Sequence, residues 1–157
     1  MLAVNVSIRE CDPYLDFMRP CTLSTKFDVN LDETGRLNQM VRHFGKEHGV
    51  SDDHVFVINL SLDELVTNIV VHAGSRDPKA HEIVLRMSIN DAVVRVEIED
   101  DGSAFNPLDV PAPNLATSLQ DRDPGGLGIH LARSLMDGIR YSRVGRRNVL
   151  TLTKRID

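Results

Sequence analysis

The chain has 157 residues, enough for one ordinary domain with a sizeable core and too few for two. Hydrophobic residues make up 41% and charged residues 26%, with aromatics at only 4%, which is globular composition and argues against long disorder. Eighteen Lys and Arg against 23 Asp and Glu give a net charge of −5; six of the basic side chains and one acid fall in the last 20 residues, leaving 12 against 22 elsewhere and disfavouring a general nucleic-acid grip.

In chain order, residues 1–20 read as an irregular N-terminal extension with an early possible strand, and 21–157 as the domain proper. No apolar run approaches the roughly 18 to 20 residues needed to cross a bilayer, so a cytoplasmic protein without a membrane segment is expected. Cys11 and Cys21 lack CxxC spacing and are expected to be reduced thiols. Thr22 to Val29 alternates as an edge strand, and Asn30 or Asp32 can cap a helix over 33–48 that Gly49 ends. Ser51 with Asp52 and Asp53 opens a second helix, whose apolar positions Val57, Ile58, Leu62, Leu65, Val66, Ile69 and Val70 recur at helical spacing as far as Ala73 and Gly74. Strands over 82–89 and 93–99 are joined at Asn90-Asp91, and a Pro- and Asp-dotted stretch over 104–124 reads as a loop. Gly125-Gly126 then opens a third helix over 127–136, followed by strands 139–144 and 148–154 about Gly145-Arg146. Hairpins rather than regular strand-helix alternation predict an α+β two-layer sandwich, one sheet with three helices on one face.

Three segments carry candidate chemistry. Ser61, Glu64, Asn68 and His72 follow one another at spacings of three, four and four, a polar stripe that is either an ordinary solvated helix face or a carboxylate base one turn from an amide oxygen able to hold Mg²⁺. The strand VRVEIEDDG ends in consecutive carboxylates and a glycine; Asp100 could accept the exocyclic amine of adenine there, or Gly102 could simply serve a tight turn. In PGGLGIHLARSLMD, Gly125, Gly126 and Gly128 stand where a loop becomes a helix, so that backbone N–H groups can face a phosphate. Neither a Rossmann fingerprint nor a Walker lysine is present.

Taken together, Glu64, Asn68, His72 and Ala73, then Asp100, Gly102, Phe105, Asn106 and Pro107, then GGLGIHLARSLMD from Gly125 to Asp137 resemble the N, G1 and G2 boxes of the histidine-kinase-like (GHKL) ATPase superfamily. The closing IRYSRVGRRNVLTLTKR is most similar to the anti-sigma-factor serine/threonine-protein kinases of the RsbW type. The resemblance covers roughly residues 22–155 and implies the Bergerat fold, with a mixed, mostly antiparallel sheet. It implies Glu64 as the general base toward a protein serine and Asn68 as the Mg²⁺ ligand. Asp100 would bind the adenine amine, helped by Gly102. Gly125, Gly126, Leu127 and Gly128 would form the phosphate end, under an ATP lid over about 103–124. It leaves His72 structural. The implied cofactors are ATP and Mg²⁺, and the implied partners a sigma factor, its anti-anti-sigma antagonist and a second copy in a homodimer, with no direct contact to nucleic acid or membrane. A non-catalytic nucleotide-dependent binding module is the alternative. Ala104 departs from the family, which often has a second glycine there, and its methyl is expected to restrict the lid. Asp121 and Asp123 put extra negative charge near the phosphate end. The basic end, Arg140, Arg143, Arg146, Arg147, Lys154 and Arg155, reads either as a solvated hairpin or as a partner-docking surface.

Overall fold

The computed structural model describes residues 7–8, 21–28, 34–74, 82–111 and 127–156. The proposed caps Asn30 and Asp32, the lid from 112 onward, Gly125, Gly126 and the side chains of His72 and both cysteines lie outside the described residues.

Helix α1 (Thr34–Glu47) forms because Leu37, Val41 and Phe44 recur every three or four residues and all three are buried. Its end is a Schellman turn: Gly49 takes φ +68°, the Val50 N–H reaches the Gly45 carbonyl at 2.8 Å, and buried Val50 seals the turn. Gly45 lets the next helix approach, since a Cβ there would lie 2.3 Å from Val55 Cγ2. Helix α2 (Asp52–Gly74) starts at Ser51, whose Oγ accepts from the His54 N–H at 3.4 Å, with Asp52 and Asp53 in the first turn. Along it Val55, Ile58, Leu62, Leu65 and Val66 are buried, each such side chain contributing about 1.5 to 3 kcal/mol.

Strands β1 (Ser7–Ile8), β2 (Cys21–Asp28), β3 (Glu82–Asn90), β4 (Val93–Asp100), β5 (Gly138–Val144) and β6 (Arg147–Arg155) form one sheet in the order β1-β2-β3-β4-β6-β5. Every pairing among them is antiparallel, so the expected parallel component is not found among the described residues. Alternation sorts the two faces. Ile83, Leu85 and Met87 of β3, Val94, Val96 and Ile98 of β4, and Leu150 and Leu152 of β6 point inward. There they pack with α1, α2 and α3 (Leu127–Leu135), the last supplying Ile129 and Ala132. The β3–β4 turn is shifted by one residue from the expected Asn90-Asp91. Asn90 pairs with Val93, and the two turn residues are Asp91 and Ala92, at φ 48° and 57°, the left-handed pair that a type I′ hairpin demands.

The outward face of the sheet is charged. Arg86 meets Glu99 at 2.6 Å, Arg147 meets Glu99 at 3.0 Å and Glu82 at 3.4 Å, and Arg95 meets Glu97 at 2.5 Å. Burial alone would raise the Glu99 carboxyl, but hydrogen bonding and charge from Arg86 and Arg147 outweigh it and hold the group below its ordinary range. Much of the basic end is thus consumed inside the fold. Arg147 serves this network, Lys154 Nζ donates to the Leu135 carbonyl at 3.0 Å and pairs with Asp137, and Arg143 turns toward the inner face. Arg140, Arg146 and Arg155 stay exposed on the hairpin.

Candidate functional site

The crossover that seats β6 beside β4 brings residues 48 positions apart into register, with Asp100 opposite Asn148. Both lie in phase with the inward-facing residues of their strands, so two polar side chains enter the apolar layer at the end of the sheet. There a cavity opens between the C-terminal half of α2, the end of β4 and the start of β6. Leu65, Ile69, Phe105, Pro107 and Leu150 form its apolar walls, and Asn68, Asp100, Tyr141 and Asn148 its polar points. Apolar walls with a few convergent polar groups are the form of a small-molecule site.

Asp100 is 6% exposed. Its Oδ1 accepts from the Gly102 N–H at 3.0 Å and from Asn148 Nδ2 at 2.9 Å. Oδ2 has no hydrogen bond among the described residues, which leaves one carboxylate oxygen open to an amine donor in the cavity. Burial raises the Asp100 carboxyl above the ordinary aspartate range, against the pull of Asn148, the Gly102 N–H and Arg143, and with a further push from Asp101. Gly102 does not take a positive φ, so turn geometry does not call for glycine there; it is buried on the cavity wall and bonded at both backbone atoms. Ala104 is exposed and likewise has no positive φ, so the missing second glycine costs this backbone nothing.

The stripe on α2 is not a solvated face. Ser61 is fully buried and its Oγ bonds the Val57 carbonyl at 2.9 Å, while Glu64 and Asn68 are half-buried. Asn68 Nδ2 donates to the Glu64 carbonyl at 2.8 Å, which fixes the amide on the cavity wall and leaves Oδ1 without a hydrogen bond among the described residues. Glu64 stands one turn earlier and is not part of that wall; it lies instead against the first turn of α3. A Cβ on Gly128 would fall 1.9 Å from Glu64 Oε2 and 2.9 Å from Glu64 Cβ, so only glycine lets these helices meet with the carboxylate between them. That carboxylate has no hydrogen bond or ion pair among the described residues, so its oxygens are open to a donor. Leu127, 49% exposed, begins α3 beside it.

The residues fit an adenine nucleotide: an apolar slot, one open carboxylate oxygen within it, and an amide oxygen at its side. The described residues hold no group of three His, Cys, Asp or Glu that could cage a metal by themselves. An Mg²⁺ ion keeping water and phosphate ligands needs only the one protein oxygen that Asn68 offers.

Residues 27–154 match the model of the histidine kinase-like ATPase domain. The chain belongs to the histidine kinase-like ATPase family. This family member is 39% identical over 99 residues to the serine/threonine-protein kinase BtrW of Bordetella bronchiseptica, covering 62% of the present chain and 68% of BtrW. Over 87 residues it is 28% identical to an anti-sigma F factor of Clostridium botulinum, covering 55% and 60% of the two chains. Over 96 residues it is 27% identical to the serine-protein kinase RsbW of Bacillus subtilis, covering 59% of each. The match thus spans less than two thirds of the last two relatives. A crystal structure of the RsbU and RsbW domains of a Mycobacterium tuberculosis protein superposes with a TM-score of 0.61 at 20% identity, over 86% of this chain and 32% of that one, and shares its fold.

The structure brings Asn68, Asp100 and Gly102 to one cavity and sets Glu64 against Gly128; the sequence singles out neither Asn148 nor Tyr141 and offers Arg143 only as part of the basic end. A signal for Asn148 was available: it is a polar residue in phase with Leu150 and Leu152 on a strand whose other inward positions are apolar.

Proposed function

We propose that this ATPase-family protein is an anti-sigma factor with protein serine kinase activity: it holds a sigma factor, and a switch of partners follows when it phosphorylates a serine of the antagonist. The observation that carries this reading is the pairing of an apolar slot, closed by a carboxylate with one open oxygen, with a second carboxylate, unpaired among the described residues, one helical turn before the Asn68 amide.

In this reading Asp100 Oδ2 accepts the adenine amine while Leu65, Ile69, Phe105 and Leu150 enclose the ring. Asn68 Oδ1 would hold Mg²⁺, which when bound would supply charge neutralisation at the transferred group. Leu127 and Gly128 open α3, and with Gly125 and Gly126 their backbone N–H groups would bind the phosphates, with 103–124 as the lid, as the resemblance implies. Glu64 takes the proton of the serine hydroxyl as its oxygen bonds to the γ-phosphorus; the bond from that phosphorus to the β–γ bridging oxygen breaks, and ADP leaves with the electron pair. Homodimerisation and a cytoplasmic location belong to the same proposal. No helix among the described residues is long and apolar enough to cross a membrane.

The test is to capture partners from native lysate on ADP-loaded and on ATP-loaded protein and to map phosphate on what is captured. A sigma factor held in one nucleotide state, together with a small antagonist phosphorylated on serine, is the expected result. Exchange of partners between the two states with no phosphate transferred would establish the non-catalytic switch instead.

A further inference from the structure

Asn148 is 6% exposed and every polar valence of its amide is occupied by protein. Oδ1 accepts from Arg143 Nη1 at 2.7 Å, from the Tyr141 hydroxyl at 2.8 Å and from the Phe105 N–H at 3.4 Å. Nδ2 donates to Asp100 Oδ1 at 2.9 Å and to the Ser103 carbonyl at 3.0 Å. Three donors on one side and two acceptors on the other fix which way the amide points and leave it nothing with which to bind a ligand. Arg143 ties the same cluster to the backbone again, donating to the Gly102 carbonyl at 2.9 Å. The whole arrangement converges on one outcome: Asp100 Oδ1 is saturated by two donors and the carboxylate cannot rotate without breaking both, so Oδ2 alone is presented to the cavity.

We propose that Asn148, held by Tyr141 and Arg143, is the positioning residue that makes this cavity select a 6-amino purine over a 6-oxo purine. The inference rests on the reading of Asp100 as the acceptor of the adenine amine. A fixed single oxygen meets one amine at one place; a carboxylate free to turn offers that amine a shorter-lived and more poorly aimed bond. A 6-oxo base seated in the same way gains no hydrogen bond from the fixed Oδ2, because its carbonyl faces an acceptor. Loss of Asn148 therefore weakens ATP binding while leaving GTP binding nearly unchanged, which is a signature that mere loosening of the fold does not produce.

The experiment measures ATP and GTP affinities by calorimetry for the wild type, Asn148→Ala, Tyr141→Phe, Asp100→Ala and the Asp100→Ala, Asn148→Ala double variant, with a thermal melt of each. Asn148→Ala is expected to lower ATP affinity about ten-fold and the ATP-to-GTP ratio by the same factor. Tyr141→Phe keeps the ring on the cavity wall and removes one donor, so a shift of about two- to three-fold in the same ratio is expected even should Asn148→Ala fold poorly. The double variant should bind ATP no worse than Asp100→Ala, because Asn148 acts only through Asp100. A ratio unchanged in Asp100→Ala would overturn the reading of Asp100 and this inference with it. A ratio that collapses in Asp100→Ala but stays at its wild-type value in both Asn148→Ala and Tyr141→Phe would leave Asp100 in place and overturn the role of Asn148.

Discussion

Replacing Asp100 by asparagine tests the adenine contact more sharply than truncation does, because the surrounding donors dictate how the new amide must sit. The Gly102 N–H and Asn148 Nδ2 both need an acceptor at the Oδ1 position, so the asparagine oxygen is drawn there and its NH₂ takes the place of Oδ2. A donor then faces the adenine amine, itself a donor. Loss of a charge-assisted hydrogen bond, worth about 1.5 to 3 kcal/mol, corresponds to a loss of about 10- to 150-fold in ATP affinity, and the opposed donors push the result toward the upper end. The same NH₂ can donate to the 6-carbonyl of guanine, so GTP should gain on ATP and the preference should narrow or invert. Stability should move the other way. Burial raises the Asp100 pKa in the native state, and a group of that kind contributes stability that is present below its unfolded pKa and lost as pH rises through its native pKa. Nucleotide-free Asp100→Asn, which carries no charge to bury, is therefore expected to melt above the wild type at neutral pH, with the difference closing in acid. In the wild type, ATP affinity should fall as pH drops through the raised value, while in the variant it stays flat. Calorimetric titration with both nucleotides across that pH range is the assay; ATP and GTP affinities that fall together, or an ATP affinity within two- to three-fold of wild type, would refute the reasoning.

Glu64→Gln should slow phosphate transfer to a partner serine by about 10²- to 10⁴-fold with nucleotide affinity nearly unchanged; a large loss of ATP binding would make Glu64 a structural residue. Asn68→Ala should abolish the Mg²⁺ dependence of ATP affinity while changing affinity in EDTA much less, and a retained Mg²⁺ dependence removes Asn68 from the ion. Gly128→Ala keeps its backbone N–H but displaces the Glu64 carboxylate, so transfer should fall more than ATP affinity does, and in a Glu64→Gln background it should cause no further loss of transfer. Multiplied losses in that double variant would place Gly128 at the phosphates alone.

Much of this molecule could be read from its sequence because its signals are local. Alternation in 82–90, 93–100 and 147–155, the spacing of Leu37, Val41 and Phe44, and punctuation by Gly49, Ser51 and Gly145 fix their elements to within a residue or two. Asn90-Asp91 reads as a good turn, yet the turn falls on Asp91 and Ala92 because eight paired positions from Ile83 to Asn90 set the register and outweigh the strain of a left-handed alanine. Glu64, Asn68 and Asp100 could be singled out because each stands in a short local motif. The partners that orient Asp100 could not: Asn148 reaches it only through the β4–β6 pairing, and Tyr141 and Arg143 reach Asn148 from the strand beyond. The inward turn of Ser61 was hidden for the opposite reason, since a helix stripe read alone does not reveal which side the sheet will cover.

The outer face of the sheet also governs what this molecule can touch. A second sheet laid flat against it, about 10 Å away, would strip water from three arginines and three glutamates that already satisfy one another, at an effective cost of several kcal/mol per ion. Such a surface resists sheet-on-sheet aggregation while the protein is crowded or partly loaded. Its pairs are partly exposed, so salt weakens them and lowers that barrier. Two of the large apolar side chains left exposed, Phe56 and Leu127, ride on α2 and α3, away from the charged face.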